Sequence, residues 1–182
     1  MPFPATYISK PCHGIVNLCG CPGFSPYFCG FIHSIMAAIA YFSEQIPFRF
    51  PNKRRVSAWI RSAVASEGCV LEQLNVVFCS DEYLLQMNRE YLLHDYFTDI
   101  ITFNQSDLPQ HIEGDIFISI DRIRENAAIY SVPFLHELHR VIIHGVLHLA
   151  GYTDDTDEKR REMREKEGFH LALLNVAVNE KL

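Results

Sequence analysis

A chain of 182 residues has room for one domain with a sizeable core and little besides. Its apolar content of 48% and charged content of 21% are those of a soluble globular protein. No run approaches the roughly 18 apolar residues that a membrane helix needs, so a cytoplasmic chain with no membrane partner is expected. A formal net charge of −6 has the wrong sign for a protein that binds nucleic acid all over its surface; any RNA has to be met by a local basic patch.

Residues 1–35 differ in kind from the rest. Lys10 is their one charged residue, and Cys12, Cys19, Cys21 and Cys29 crowd among prolines and glycines with no helical or strand period. A secretory signal would need a basic start and an unbroken apolar stretch, and Pro11, Gly14, Gly20 and Pro22 interrupt it. The cysteine spacings do not match the usual paired zinc pattern either. The simpler expectation is that translation begins at Met36, that residues 1–35 are a non-native or disordered leader, and that residues 36–182 form the working domain. Cys69 and Cys79 then read as small buried hydrophobes in a reducing compartment.

From Ala37 the chain behaves like folded protein. Ile39–Phe42 is a short strand, and after Pro47 and Pro51 the side chain of Asn52 caps a helix from Lys53 to about Glu67. Val56, Ile60 and Val64 supply its apolar stripe, and Gly68 ends it. Arg49, Lys53, Arg54, Arg55 and Arg61 form the densest basic cluster, read either as a solvated face or as a phosphate-binding surface. Leu74–Cys79 is a second strand, and Ser80 caps a helix running to about Tyr91. A polar link leads to a strand at Ile100–Phe103. Gly114–Ile120 alternates as a fourth strand, and Asp121 caps a short helix through Ala128.

Pro133 opens the long helix on which the chain turns. Near its end lies Val141-Ile-Ile-His-Gly-Val-Leu-His-Leu-Ala-Gly-Tyr-Thr-Asp154. A spacing of four puts His144 and His148 on one helix face, close enough to share an ion. Gly151 offers the left-handed stop that turns the chain back, which brings Asp154 to the same point. Two imidazole nitrogens and a carboxylate oxygen are a three-ligand set that leaves an ion one open position. Zinc suits these donors, and nickel or iron would accept them. Gly145 stands where an H-E-x-x-H peptidase carries its glutamate base, which argues against a protease. From His139 to His144 the helix turns about 500°, so His139 points away and is structural or exposed. Thr156 caps a last, charged helix whose end Leu171–Val176 packs. Together these elements predict an α+β single domain: a small mixed four-stranded sheet packed by about five helices, with the metal site on the long central helix.

His144-Gly-x-Leu-His148-Leu-x-Gly-Tyr152 with a ligand at position 154 resembles the motif of the YbeY-type rRNA maturation factors, which are bacterial metal-dependent endoribonucleases. Two further stretches are similar in the same order: Met87-Asn88-x-x-Tyr91 with Asp95 and Thr98-Asp99-Ile-Ile-Thr-Phe103, and Gly114-Asp115-Ile116. The resemblance covers about residues 36–178. It implies a single-strand-specific endoribonuclease with one Zn2+ (or another divalent ion) on His144, His148 and Asp154. It further implies work in 16S rRNA 3′-end maturation and ribosome quality control, with ribosomal RNA and the small ribosomal subunit as partners. The basic cluster described above supplies the candidate RNA-binding side chains, Arg49, Lys53, Arg54 and Arg55.

Two positions depart from the family pattern. The family's third histidine is Asp154 here, an anionic ligand that offsets more of an ion's charge and leaves its water slightly less acidic; Asp155 is the alternative ligand. The family's arginine after the tyrosine is Leu92, and its lysine is His94. Arg89, one turn back on the same predicted helix, is the candidate catalytic replacement. The competing reading is a metal-stabilised ribosome assembly factor with little hydrolytic activity, which Leu92 favours.

Overall fold

The computed structural model describes residues 6–8 and 38–179, with side chains for residues 38–174. Its strands are β1 (Thr6–Ile8), β2 (Ala38–Glu44), β3 (Val70–Cys79), β4 (Ile100–Asn104) and β5 (His111–Ser119). Its helices are α1 (Lys53–Ser66), α2 (Asp81–Leu92), α3 (Ile120–Ile129), α4 (Phe134–Leu149) and α5 (Asp157–Asn179). The four expected strands and five helices are all present. They make a mixed sheet in the order β1-β4-β5-β3-β2, in which β1 adds a short edge strand to the expected four. β3 runs parallel to β2 and β5, β4 is antiparallel to β5, and β1 is parallel to β4. Apart from β1, the expected leader lies outside the described residues, and so do Met36 and the four early cysteines.

Strand alternation divides the core between the two faces of the sheet. Ile100, Ile116 and Ile118 face a large apolar cluster built with α1, α4 and α5 and joined by Ile123 of α3. Their neighbours Ile101 and Phe103 face the other way, where Leu84 and Met87 of α2 cover them. On α4, Leu138, Val141, Ile142, Ile143, Val146, Leu147 and Leu149 are all buried. Each contributes about 1.5–3 kcal/mol, enough in sum to hold charged neighbours inside the same helix.

Local chemistry at the helix ends corrects two expectations. The Asn52 side chain does not cap α1; its backbone is left-handed at φ 54, and its carbonyl receives the first helical N–H groups. Asp121 does not cap α3 either. Ser119 does, because its side chain accepts from the Arg122 N–H, which leaves Asp121 in the first turn. Ser80 and Thr156 do cap α2 and α5, each accepting a backbone N–H at 3.2 Å. Among the described residues, no helix is long and apolar enough to cross a membrane.

Candidate metal centre

The last two turns of α4 carry the site. Gly145 sits between the histidines on the side that presses the sheet. A Cβ there would stand 2.7 Å from Ile100 Cδ1 and 3.0–3.1 Å from two Ile116 carbons, and both isoleucines are fully packed. The glycine lets α4 lie against β4 and β5, so any side chain at 145 would face the sheet rather than the histidines. Gly151, at φ 101, then turns the chain back, and its N–H closes on the His148 carbonyl at 3.0 Å.

His144 and His148 are both buried, 8% and 2% exposed, and their rings meet edge to face with centroids 4.4 Å apart. His144 Nδ1 lies 2.6 Å from Glu167 Oε1 on α5, and His148 Nδ1 lies 2.9 Å from the Tyr152 carbonyl oxygen. Both partners only accept, so each Nδ1 carries its ring's hydrogen. Both Nε2 lone pairs therefore point at one place, 3.0 Å from each other. Two facing lone pairs repel unless a cation lies between them. Nitrogens bound at about 2.0–2.1 Å to one tetrahedral zinc ion would stand roughly 3.3 Å apart, close to what is found. Burial, and then the cost of putting a second charge beside the His144 ring, push His148 down to about 4, which keeps it neutral and able to ligate near pH 7. Ligand atoms of His144, His148 and Asp154 all lie within 4.8 Å of one another. Asp155 is instead occupied by Thr153 and Lys159, each at 2.9 Å.

Around the pair lies a cluster of buried charge. Arg140, one turn before His144, binds Glu137 through two nitrogens at 2.7 and 2.9 Å. It also approaches Glu167 at 3.4 Å and Asp99 at 3.8 Å. Burial raises the Asp99 carboxyl against the pull of His144 and Arg140. Burial also works against ionisation at Glu167, but the hydrogen bond from His144 Nδ1 and the nearby Arg140 bring its carboxyl below the ordinary value. Glu137 and Glu167 outnumber the one guanidinium between them, so the field at the imidazoles favours a cation. The donor set and its surroundings fit a divalent ion.

Among known proteins, the sequence model described as endoribonuclease YbeY matches residues 39–175. The chain belongs to the endoribonuclease YbeY family. Similar curated relatives named endoribonuclease YbeY include one from Amoebophilus asiaticus, 46% identical over 143 residues, 79% of this chain and 97% of the relative. Another, from Cytophaga hutchinsonii, is 47% identical over 135 residues, 74% of this chain and 94% of the relative. The solution structure of a Thermotoga maritima protein superposes with a TM-score of 0.56 at 26% identity, covering 79% of this chain and 93% of that one.

As a YbeY family member the chain explains its own departures. Leu92, in place of the family's arginine, packs against the apolar cluster under α2. His94 stacks on Tyr96 with ring centroids 5.1 Å apart. Arg89 pairs with Asp95 at 2.6 Å on an exposed surface. The basic cluster is not a uniform face. Arg49, Lys53 and Arg54 are exposed, Lys53 over the Tyr41 ring, whereas Arg55 turns inward and donates to the Leu174 carbonyl of α5. These cations sit at the start of α1, and Glu67, which bonds Tyr152, is at its end, roughly 21 Å along the axis. His139 is half-buried with Phe50 and Trp59, its ring edge-on to both, and therefore structural.

Sequence reasoning missed Glu167, Arg140, Glu137 and Glu67. Glu167 stands 23 residues from His144 on another helix, and nothing in its local pattern marks it among the charges of α5. The one available signal was a carboxylate on the otherwise apolar side of α5, four residues from Met163 and three before His170.

Proposed function

We propose that this chain is a metal-dependent endoribonuclease that acts in the cytoplasm on single-stranded segments of ribosomal RNA precursors. The 3′ end of the small-subunit RNA, and ribosome quality control, are its field of action. The observation that carries the reading is the pair of Nε2 lone pairs held face to face by acceptors on both outer nitrogens, with Asp154 beside them. His144, His148 and Asp154 would hold a divalent ion, for which zinc is the natural choice given two nitrogens and one oxygen. When bound there, the ion supplies Lewis acidity toward a phosphoryl oxygen and toward water.

The rest of the work falls to the chain itself. Glu167 and the Tyr152 carbonyl keep the imidazoles in the ligating tautomer and make them better donors. Gly145 cannot serve as the acid–base group of a peptidase, because its Cβ direction points into Ile100 and Ile116. Arg49, Lys53 and Arg54 offer exposed charge to RNA phosphates, about a helix length from Tyr152. Arg89 would have to leave Asp95 to reach a phosphate, which makes it a weaker candidate than those three.

A second reading, a metal-stabilised assembly factor of the small ribosomal subunit, draws on Leu92, whose side chain serves packing rather than phosphate. One set of measurements separates the two. Metal content of the purified chain is determined, and the wild type and His144→Ala are incubated with single-stranded RNA, with casein and with small subunits. The nuclease reading expects stoichiometric metal, and RNA cleavage that the substitution removes together with the metal. Subunit binding that survives His144→Ala, with no RNA cleavage by the metal-loaded wild type, would replace it with the second reading.

A further inference from the structure

Glu67 ends α1, far from the histidines in sequence, yet three donors converge on its carboxylate. The Tyr152 hydroxyl and the Lys166 ammonium each reach Oε2 at 2.7 Å, and His170 Nε2 reaches Oε1 at 2.8 Å. The side chain is 6% exposed and His170 is fully buried. Each donor comes from an element that also serves the metal centre. Tyr152 lies on the turn between α4 and α5, and its carbonyl is the acceptor for His148 Nδ1. Lys166 and His170 flank Glu167 on α5, and Glu167 is the acceptor for His144 Nδ1. Trp59 of α1 donates to the His170 carbonyl at 2.7 Å, which ties the same turn of α5 to α1 a second time.

We infer that Glu67 is a positioning residue of the metal centre: by gripping Tyr152 and α5 at once, it aims both acceptors that hold the histidine Nε2 atoms toward the ion. The inference rests on the metal-centre reading above and goes beyond it in assigning a role to a residue outside the ligand set. The physical case is one of geometry. An imidazole fixed only at its helix backbone can rotate about χ2 and exchange tautomers. An acceptor on Nδ1 removes both freedoms, provided that the acceptor itself stays in place. The turn carrying the Tyr152 carbonyl is anchored to α1 through the phenol, and the rotation of α5 about its axis is set by Lys166 and His170. A glutamine at 67 keeps the volume but turns an NH2 group toward one of three donors, so the convergence fails without a cavity.

The test uses Glu67→Gln in the full chain, at pH 7.5 and well below its melting temperature. Two quantities are read: zinc affinity by competition with a chromophoric chelator, and the imidazole nitrogen shifts of His144 and His148 by NMR in the metal-free protein. The expected result is a zinc affinity weakened roughly tenfold or more, with both histidines passing from a single Nδ1–H tautomer to a mixture. Affinity within twofold of wild type with both tautomers unchanged would overturn the inference, whatever happens to the melting temperature. Should Glu67→Gln fail to fold, Tyr152→Phe removes one hydrogen bond and no charge. A tautomer mixture at His148 alone supports the inference, and unchanged shifts there overturn it. RNA cleavage enters neither measurement. A wild type that binds zinc and leaves RNA intact would end the nuclease reading and leave this one standing, and if the wild type takes up no zinc, the nitrogen shifts alone decide.

Discussion

The two ends of α1 treat charge in opposite ways. At the first turn Lys53 and Arg54 stand in water, with Arg49 just before them. At the last, one carboxylate is taken out of water and given three donors. Burial alone would raise the Glu67 carboxyl, but the bonds from Lys166, Tyr152 and His170 hold it down to about 2. Charge at the first end is available to a partner, and charge at the second is committed to the fold. The lesson is that the surroundings decide whether a charge at a helix end is left in water or built into the fold.

The contrast is broken most severely at the buried end. Glu67→Ala leaves Lys166 and His170 facing each other without the anion between them, and should cost about 3 kcal/mol of stability in denaturant titration. A loss below about 0.5 kcal/mol would show that the joint is no stronger than a surface pair.

Acid sharpens the contrast in two separate windows. Burial, then Arg55 and His136, push His139 down to about 4 from an ordinary 6.5. The unfolded chain therefore binds that proton before the folded one does, and stability falls as pH drops from about 6.5 to about 4. Metal-free His148 adds to the same window. Glu67 works lower: its carboxylate takes its proton near 4.5 when unfolded and near 2 when folded, so its contribution fades as pH falls from about 4.5 to about 2. Melting temperature against pH should lose part of the upper limb in His139→Leu and the lower limb in Glu67→Gln.

The smallest effect on stability lies at the exposed end. Replacing Arg49, Lys53 and Arg54 by alanine should shift stability by no more than about 0.5 kcal/mol each. RNA affinity should fall evenly across sequences, and the slope of log affinity against log salt should flatten by roughly one for each phosphate that is no longer neutralised. An unchanged slope would remove this surface from RNA binding.

Much of the fold could be read along the chain because its signals are local. Helices α1 and α4 announced themselves by their apolar residues, and α2 and α5 by the capping residues Ser80 and Thr156. The strands were found but drawn short. β3 begins at Val70 and β5 at His111, where the two strands pair only with each other and partly exposed residues such as Glu72 and Glu113 blur the alternation. The Asn52 and Asp121 caps were misassigned because side-chain type alone does not tell which of several polar neighbours meets the free N–H groups.

The histidine pair and the acid after the helix stop are fixed by spacing within a dozen residues, so the geometry of 3.6 residues per turn was enough to bring them together on paper. What surrounds them comes from elsewhere: Glu167 from α5, Glu67 from α1, Asp99 from the start of β4. Those contacts exist only once separate elements have packed, because charges on separate helices carry no mark of one another until burial of their apolar neighbours sets distance and angle. The chain thus wrote its candidate ligands locally, and tertiary packing chose which acceptors would hold them and which of its many charges would be left in water.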